Sequence, residues 1–154
     1  MHNAKKWAAA AALLAILCLG GCQGASVSTS QSMTFQVGTG DKIKVTLDTS
    51  AGDSLTQEEG SFSVKNGDSL VFQGVFQTPD QYAAQEAAIR GTEGVEIVTD
   101  GETMLSYYYE AGAAGPETGY LFMVDGSDTG VYMASLMDRE AADDAFGRMT
   151  FEKE

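Results

Sequence analysis

Short alternations of apolar and polar residues recur along most of the chain. Residues 33–37 and 43–47 each place an apolar side chain at every second position, and a Gly-Thr-Gly sequence separates them. A period of two puts alternate side chains on the same face of a strand. These segments therefore predict two half-buried strands joined by a glycine turn, whereas the polar and acidic residues 49–60 predict a loop.

An Asn-Gly pair at residues 66–67 predicts the next hairpin. It lies between β-prone runs at 61–65 and 69–76, and Asn-Gly is the strongest short hairpin signal known. If Asp68 joins the loop as a bulge, Val64 lies opposite Leu70 and the apolar faces of the two strands agree. We expect this bulged register, which also sets Phe62 opposite Phe72. Two further hairpins are predicted, with strands at 95–98 and 103–109 and at 120–124 and 131–136.

Two segments carry the start signals of helices. Thr78 is placed as an N-cap, Pro79 as the first helical residue and Gln81 as the partner that completes a capping box. Gly91 is a typical residue to follow the end of this helix. Asp138 can cap a second helix, whose apolar side consists of Ala141, Ala142, Ala145, Phe146 and Met149.

The predicted elements follow the order β-β, β-β, α, β-β-β-β, α, β, in which Phe151 marks a brief last strand. Hairpins need no crossover connection, so the order predicts the α+β class. We expect a mainly antiparallel sheet of six or more strands with two helices packed on it. The order is similar to that of the α/β/α sandwich shared by the photosystem PsbP subunit and Ran-binding nuclear import factors. This resemblance implies a fold, but it rests on no sequence motif and implies no functional residue.

The first 21 residues have the three parts of an export signal. Two lysines, Lys5 and Lys6, precede an unbroken apolar run over 8–19, and small residues follow. The run is too short to span a hydrocarbon core of ~30 Å as a stable helix. The lysines stay on the cytoplasmic side, so the remainder of the chain is expected outside. The junction Leu19-Gly20-Gly21-Cys22 resembles the lipobox of bacterial prolipoproteins, and the chain as a whole looks like many small lipoproteins of Gram-positive bacteria.

The lipobox resemblance implies transfer of a diacylglyceryl group to the thiol of Cys22, followed by cleavage before this residue. The expected organisation is a signal peptide (1–21), a lipidated cysteine with a flexible tether (22–32) and a single α+β domain (33–154). Two acyl chains are enough for stable anchoring. We therefore expect an extracytoplasmic protein attached to the cell membrane by fatty-acyl chains such as palmitate. An ordinary secretory signal with an incidental cysteine is the alternative.

The charge of the chain lies almost entirely after Cys22. All 22 acidic residues follow this position, but only 7 of the 9 basic residues do, so the expected mature protein has a net charge of −15. Binding to nucleic acid depends on Lys and Arg that neutralise phosphates, which argues against a nucleic-acid partner. Solubility outside the cell is the ordinary explanation of such acidity.

Removal of the leader also removes much of the reactive chemistry. His2 is the only histidine, and Cys18 is cleaved off while Cys22 becomes a thioether. Catalytic triads, imidazole or thiolate metal sites and cysteine nucleophiles are therefore not expected. Carboxylates remain, but no Asp or Glu pair stands out as the acid and base of a glycosidase. We predict a non-catalytic binding module of the cell envelope without cofactor; the alternative is a small surface hydrolase that uses carboxylates.

Residues 125–130, Asp-Gly-Ser-Asp-Thr-Gly, resemble the start of a calcium-binding loop. Asp125 and Gly130 match, but the third and fifth positions have no carboxylate and Leu136 replaces the bidentate glutamate. A hairpin turn without metal is the preferred interpretation, and the alternative is a weak surface calcium site of the millimolar affinity found in extracellular modules.

Three consecutive tyrosines, Tyr107, Tyr108 and Tyr109, are the candidate partner-binding residues. In a strand, Tyr107 and Tyr109 share one face and Tyr108 takes the other. Cross-strand packing is the plainer explanation of such a run. Tyrosine is also enriched in binding surfaces. A glycine-rich loop at 110–117 follows, and loops concentrate binding residues. The expected partners are the membrane, through the lipid, and a protein or cell-wall component.

Overall fold

A computed structural model describes residues 29–154 as a β-rich domain. The predicted leader, Cys22 and most of the tether lie outside these residues. The described range forms ten strands and two helices. They are β1 (Ser30–Gln36), β2 (Lys42–Asp48), β3 (Asp53–Glu58), β4 (Ser61–Asn66), β5 (Ser69–Gln77), α1 (Pro79–Gly91), β6 (Val95–Asp100), β7 (Met104–Tyr109), β8 (Glu117–Met123), β9 (Gly130–Ser135), α2 (Arg139–Gly147) and β10 (Met149–Lys153).

The strands form two antiparallel sheets. The larger has seven strands in the order β3-β4-β5-β9-β8-β7-β6, and the smaller has three in the order β1-β2-β10. Helix α1 carries the chain from β5 to the far edge strand β6, after which three hairpin connections return it to β9 beside β5. The α+β class, with a mainly antiparallel sheet and two helices, is confirmed.

The two faces of the seven-stranded sheet are covered differently. Strand alternation divides them: Tyr120 and Phe122 belong to the main core with the smaller sheet and α2, whereas Leu121 belongs to a second cluster with Ile89 of α1. One helix therefore lies on each face, as in an α/β/α sandwich, but the smaller sheet covers much of the α2 face. The resemblance to the PsbP fold stays a prediction.

Aromatic side chains fill the main core. Phe62 contacts the rings of Phe35, Phe76 and Phe151 at centroid distances of 6.0, 5.4 and 5.9 Å. Its ring also lies directly over Gly74 of β5, where a Cβ atom would come within 2.2 Å of the phenylalanine Cζ. Gly74 therefore makes room for Phe62, one of the largest fully buried side chains of the core.

The register of the β4–β5 hairpin differs from the predicted one. Asn66 pairs with Ser69, and the bulge lies further along, so that Val64 is opposite Phe72 and Phe62 is opposite Gly74. The bulge lets consecutive residues Val71 and Phe72 both be buried, whereas Leu70 remains 46 % exposed. The predicted pairs, Val64 with Leu70 and Phe62 with Phe72, were therefore wrong.

The predicted loop over 49–60 was also wrong, because Asp53–Glu58 is the edge strand β3. Its inward residues are Leu55 and a buried carboxylate, Asp53, which lies 2.5 Å from Nη2 of Arg148. Nδ2 of Asn66 also donates to Asp53, over 2.9 Å. A strand whose buried positions include a charged residue has no apolar alternation that its sequence could reveal.

Both predicted helix starts are confirmed. The Thr78 hydroxyl accepts a bond from the backbone N–H of Gln81, whose side-chain oxygen accepts from the N–H of Thr78 over 2.9 Å. The Asp138 carboxylate accepts from the N–H of Ala141 over 3.0 Å. Helix α1 includes Gly91 as its last residue, one position later than predicted. Within residues 29–154, neither helix has the length and apolar character that a bilayer crossing requires.

Candidate functional site

The three candidate tyrosines lie on β7, and the structure divides them as predicted between the two faces. Tyr107 and Tyr109 pack in the cluster under α1, and Tyr108 points to the opposite side of the sheet. Tyr107 is only 4 % exposed, whereas Tyr108 and Tyr109 are half-buried. The run therefore does not form one surface, and Tyr109 is the more accessible of its two tyrosines on the α1 side.

A crevice of about 240 Å³ opens between α1 and the loop that joins β7 to β8. We call it the tyrosine crevice. Helix α1 forms one wall, and the small residues Gly112 and Ala113 of the predicted binding loop form part of the other. Its lining residues are Gln85, Ala88, Ile89, Thr92, Val95, Tyr107, Tyr109, Gly112, Ala113, Glu117 and Tyr132.

Two phenols and a carboxylate meet at this crevice. The Tyr107 hydroxyl donates to Oε1 of Glu117, and the hydroxyls of Tyr107 and Tyr132 are 2.7 Å apart. The Tyr132 hydroxyl also lies 3.5 Å from Oε1 of Glu117. These residues come from β7, β8 and β9, which are adjacent in the sheet, so cross-strand pairing brings them together.

Gly119 makes this arrangement sterically feasible. It pairs with Tyr107 across β7 and β8, and the tyrosine ring lies flat over it. A Cβ atom at Gly119 would come within 2.1 Å of Cε1 of Tyr107. The ring can therefore reach over β8 toward Tyr132 only because residue 119 has no side chain.

Burial keeps the two phenols neutral. Desolvation raises the pKa of Tyr107 well above its usual value, and its hydrogen bond to Glu117 raises this pKa further. Desolvation also raises the pKa of Tyr132, although its hydrogen bond with Tyr107 partly opposes the change. Glu117 thus accepts a hydrogen bond from the neutral Tyr107 and lies beside a second neutral phenol in a half-buried setting.

A second crevice, with a volume of about 400 Å³, lies beside the first along α1 and shares the lining residues Gln85 and Ala88 with it. We call it the amide crevice, because Gln77, Gln81 and Gln85 contribute to its lining together with apolar residues of β5 and α1. The side-chain oxygen of Gln77 is buried and has no hydrogen-bond partner among residues 29–154. This crevice is more open than the first and its lining carries no charged group, so we take the tyrosine crevice as the candidate site.

Residues 125–130 form the turn between β8 and β9. The backbone N–H of Val124 donates to the carbonyl of Thr129 over 2.9 Å, and the Ser127 hydroxyl donates to the carbonyl of Val124. Gly126 has a positive φ of 70°. Across the described part of the chain, no three His, Cys, Asp or Glu side chains are grouped closely enough to hold a metal ion.

Sequence reasoning named Tyr107, Tyr109 and the 110–117 loop, but it missed Tyr132 and the wall from α1. One signal for Tyr132 was available. Tyr132 alternates with Val131 and Met133 in β9, so its side chain lies on the opposite face of the strand. A large aromatic residue on that face indicated that the face is covered as well. The contribution of α1 depends on where the helix crosses the sheet, which no local pattern reports.

Comparison of the chain with protein-family models, with curated proteins and with solved structures gave no match. Cys22, the predicted lipidation site, lies outside the described residues.

Proposed function

We propose that the chain is a membrane-anchored extracytoplasmic lipoprotein whose domain binds a partner of the cell envelope without catalysis. The observation that carries the binding role is the tyrosine crevice, which joins an accessible tyrosine, a glycine-rich loop and a carboxylate in one concave site. Concave sites with mainly apolar and aromatic walls and a few convergent polar groups are the usual form of a binding site.

The composition of the crevice walls supports a protein partner. Tyr109 offers a rigid aromatic face with a polar tip, which is the kind of side chain enriched in protein interfaces. The loop beside it consists largely of Gly and Ala, so a partner can approach its backbone closely. Tyr107 lies beneath, where it supports Tyr109 and Glu117 and contributes little surface of its own.

The charge of the domain supports the same arrangement. At −15 the mature chain is repelled by an anionic membrane, and a tether of the seven residues between Cys22 and β1 has a span of roughly 13–16 Å. The domain therefore remains near the bilayer with its surface free, and an acidic surface attracts basic partners by electrostatic steering.

The test exploits two neighbouring tyrosines that face opposite sides of the sheet. In intact cells, Tyr109→Ser should reduce the recovery of a cross-linked partner, because it removes the exposed aromatic wall of the crevice. Tyr108→Ser is the matched control, since it removes an equally half-buried tyrosine from the other face. Equal recovery with both variants, each shown to be folded by circular dichroism, would contradict the proposed site.

A further inference from the structure

Glu117 carries the one charge among the residues that line the tyrosine crevice. The carboxylate is half-buried, and no Lys or Arg within residues 29–154 forms an ion pair with it. Burial removes part of the water that stabilises the negative charge of a carboxylate, and without a cation nearby this loss is not compensated.

The two phenols do not neutralise the charge of Glu117. They remain neutral, and the Tyr107 hydroxyl that donates to Glu117 and the Tyr132 hydroxyl beside it both approach Oε1. Oε2 has no hydrogen-bond partner within the described residues. One oxygen of the carboxylate is therefore held in place while the other is free to accept a donor from outside.

The nearest basic residue along α1 is already paired elsewhere. Arg90 lies between the crevice residues Ile89 and Thr92, but its guanidinium bonds Glu86 at 3.0 Å and Asp100 at 2.6 Å. Both of these pairs are exposed, and neither the arginine nor its two partners line the crevice. The exposed residues Glu93 and Glu110, next in sequence to lining residues, add further negative charge nearby.

We infer that the tyrosine crevice receives a cationic side chain, Lys or Arg, from a basic segment of the partner protein. This inference rests on the proposed function and names the chemistry of its ligand. The cation donates to Oε2 of Glu117, and the rings of Tyr109 and Tyr132 offer aromatic faces that attract cations. A volume of about 240 Å³ is below the roughly 300–1,000 Å³ of sites that enclose a drug-sized ligand, which favours a single side chain.

The test uses the peptide acetyl-Gly-Arg-Gly-amide and its citrulline analogue, which keeps the shape of arginine and removes the charge. Binding to the full chain in mild detergent is followed by NMR chemical-shift changes. The key variant is Glu117→Gln, which keeps an oxygen acceptor for Tyr107. The matched control is Glu102→Gln, which removes the same charge from the exposed β6–β7 turn at the other end of β7.

The arginine peptide should bind the parent and the Glu102→Gln variant equally within about twofold. Binding should be about tenfold weaker for Glu117→Gln and for the citrulline peptide, the effect of losing one charge-assisted bond of about 1.4 kcal/mol. The inference is overturned if the parent does not bind the arginine peptide, if citrulline binds as well as arginine, or if both variants lose affinity alike. The citrulline comparison needs only the parent protein, so it tests the requirement for a positive charge even if Glu117→Gln does not fold.

The cell cross-linking experiment separates this inference from the proposed function. If Tyr109→Ser abolishes capture of the partner and Glu117→Gln does not, the crevice binds a partner but no cation, and only the inference fails. If neither variant changes capture, the proposed function fails as well.

Discussion

Three tyrosine hydroxyls are held in polar contacts on the faces of the large sheet. Tyr107 and Tyr132 meet at Glu117 on the α1 side, and Tyr120 donates to Asp143 of α2 on the other side. Desolvation is the largest cause that raises the pKa of each, and hydrogen bonds to carboxylates add to it for Tyr107 and Tyr120. Each phenol is thus stabilised in its protonated form by the fold.

These shifts predict that the domain loses stability in alkali. Below about pH 10, folded and unfolded chains both keep the phenol protons, so these residues cause no pH dependence. Above this value the unfolded chain releases them and the folded chain retains them. The free energy of unfolding should then fall by up to about 1.4 kcal/mol per pH unit for each such tyrosine.

Urea unfolding at several pH values, followed together with tyrosinate absorbance, measures this effect. Tyr107→Phe should flatten the alkaline dependence, because it removes one of the protonated groups. A titration in which all six tyrosines ionise together near their usual pKa while the fold persists would contradict the prediction.

Helix α1 is the element on which the candidate site most depends. Ile89 is its one buried residue, and Tyr82 adds a half-buried contact over Gly130, where a Cβ atom would come within 2.8 Å of the ring. Two neighbouring crevices lie along the helix and share Gln85 and Ala88. Because packing holds α1 at few points, its own capping contributes much to its stability.

Loss of the N-cap should therefore loosen α1 before it unfolds the sheet. Thr78→Ala removes the acceptor for the N–H of Gln81 and should cost about 0.5–2 kcal/mol. Hydrogen exchange should accelerate in α1 more than in the central strands β5, β8 and β9. Thr78→Ser keeps the hydroxyl and is the control; an equal loss with serine would show that the cap is not the cause.

The whole molecule combines an acidic domain with a predicted lipid anchor. The expected mature chain has a charge of −15 and no His or Cys after residue 22. In the proposed lipoprotein, membrane attachment depends on the leader and on Cys22, since an acidic surface is repelled by anionic lipid.

Replacement of the anchor residue tests this organisation. Cys22→Ser should leave the leader uncleaved or release the protein, and in either case remove lipid labelling and the partition of the processed protein into detergent. Cys18→Ser is the matched control, because it removes the other cysteine from within the predicted leader. If Cys22→Ser is still processed and partitions like the parent, the lipoprotein assignment is wrong.

Local signals in the sequence determined most of the elements. The capping box at Thr78, the Asp138 cap and the Asn66-Gly67 turn each act between residues a few positions apart, so their physics is contained in a short stretch of chain. Period-two alternation likewise indicated which side chains of β2 and β7 share a face. The leader and the lipidated cysteine rest on local sequence patterns too, and they stay predictions.

The tertiary structure alone decided the register of β4 and β5, the strand at 53–58 and the candidate site. Each depends on contacts between residues distant in sequence: Asp53 and Arg148 are 95 positions apart, and Tyr107 and Tyr132 are 25 apart. The packing of Phe62 over Gly74 fixes the register of β4 and β5, and this packing depends on the assembled aromatic core. Such contacts form only when the strands are ordered into sheets, because strand order sets which side chains become neighbours.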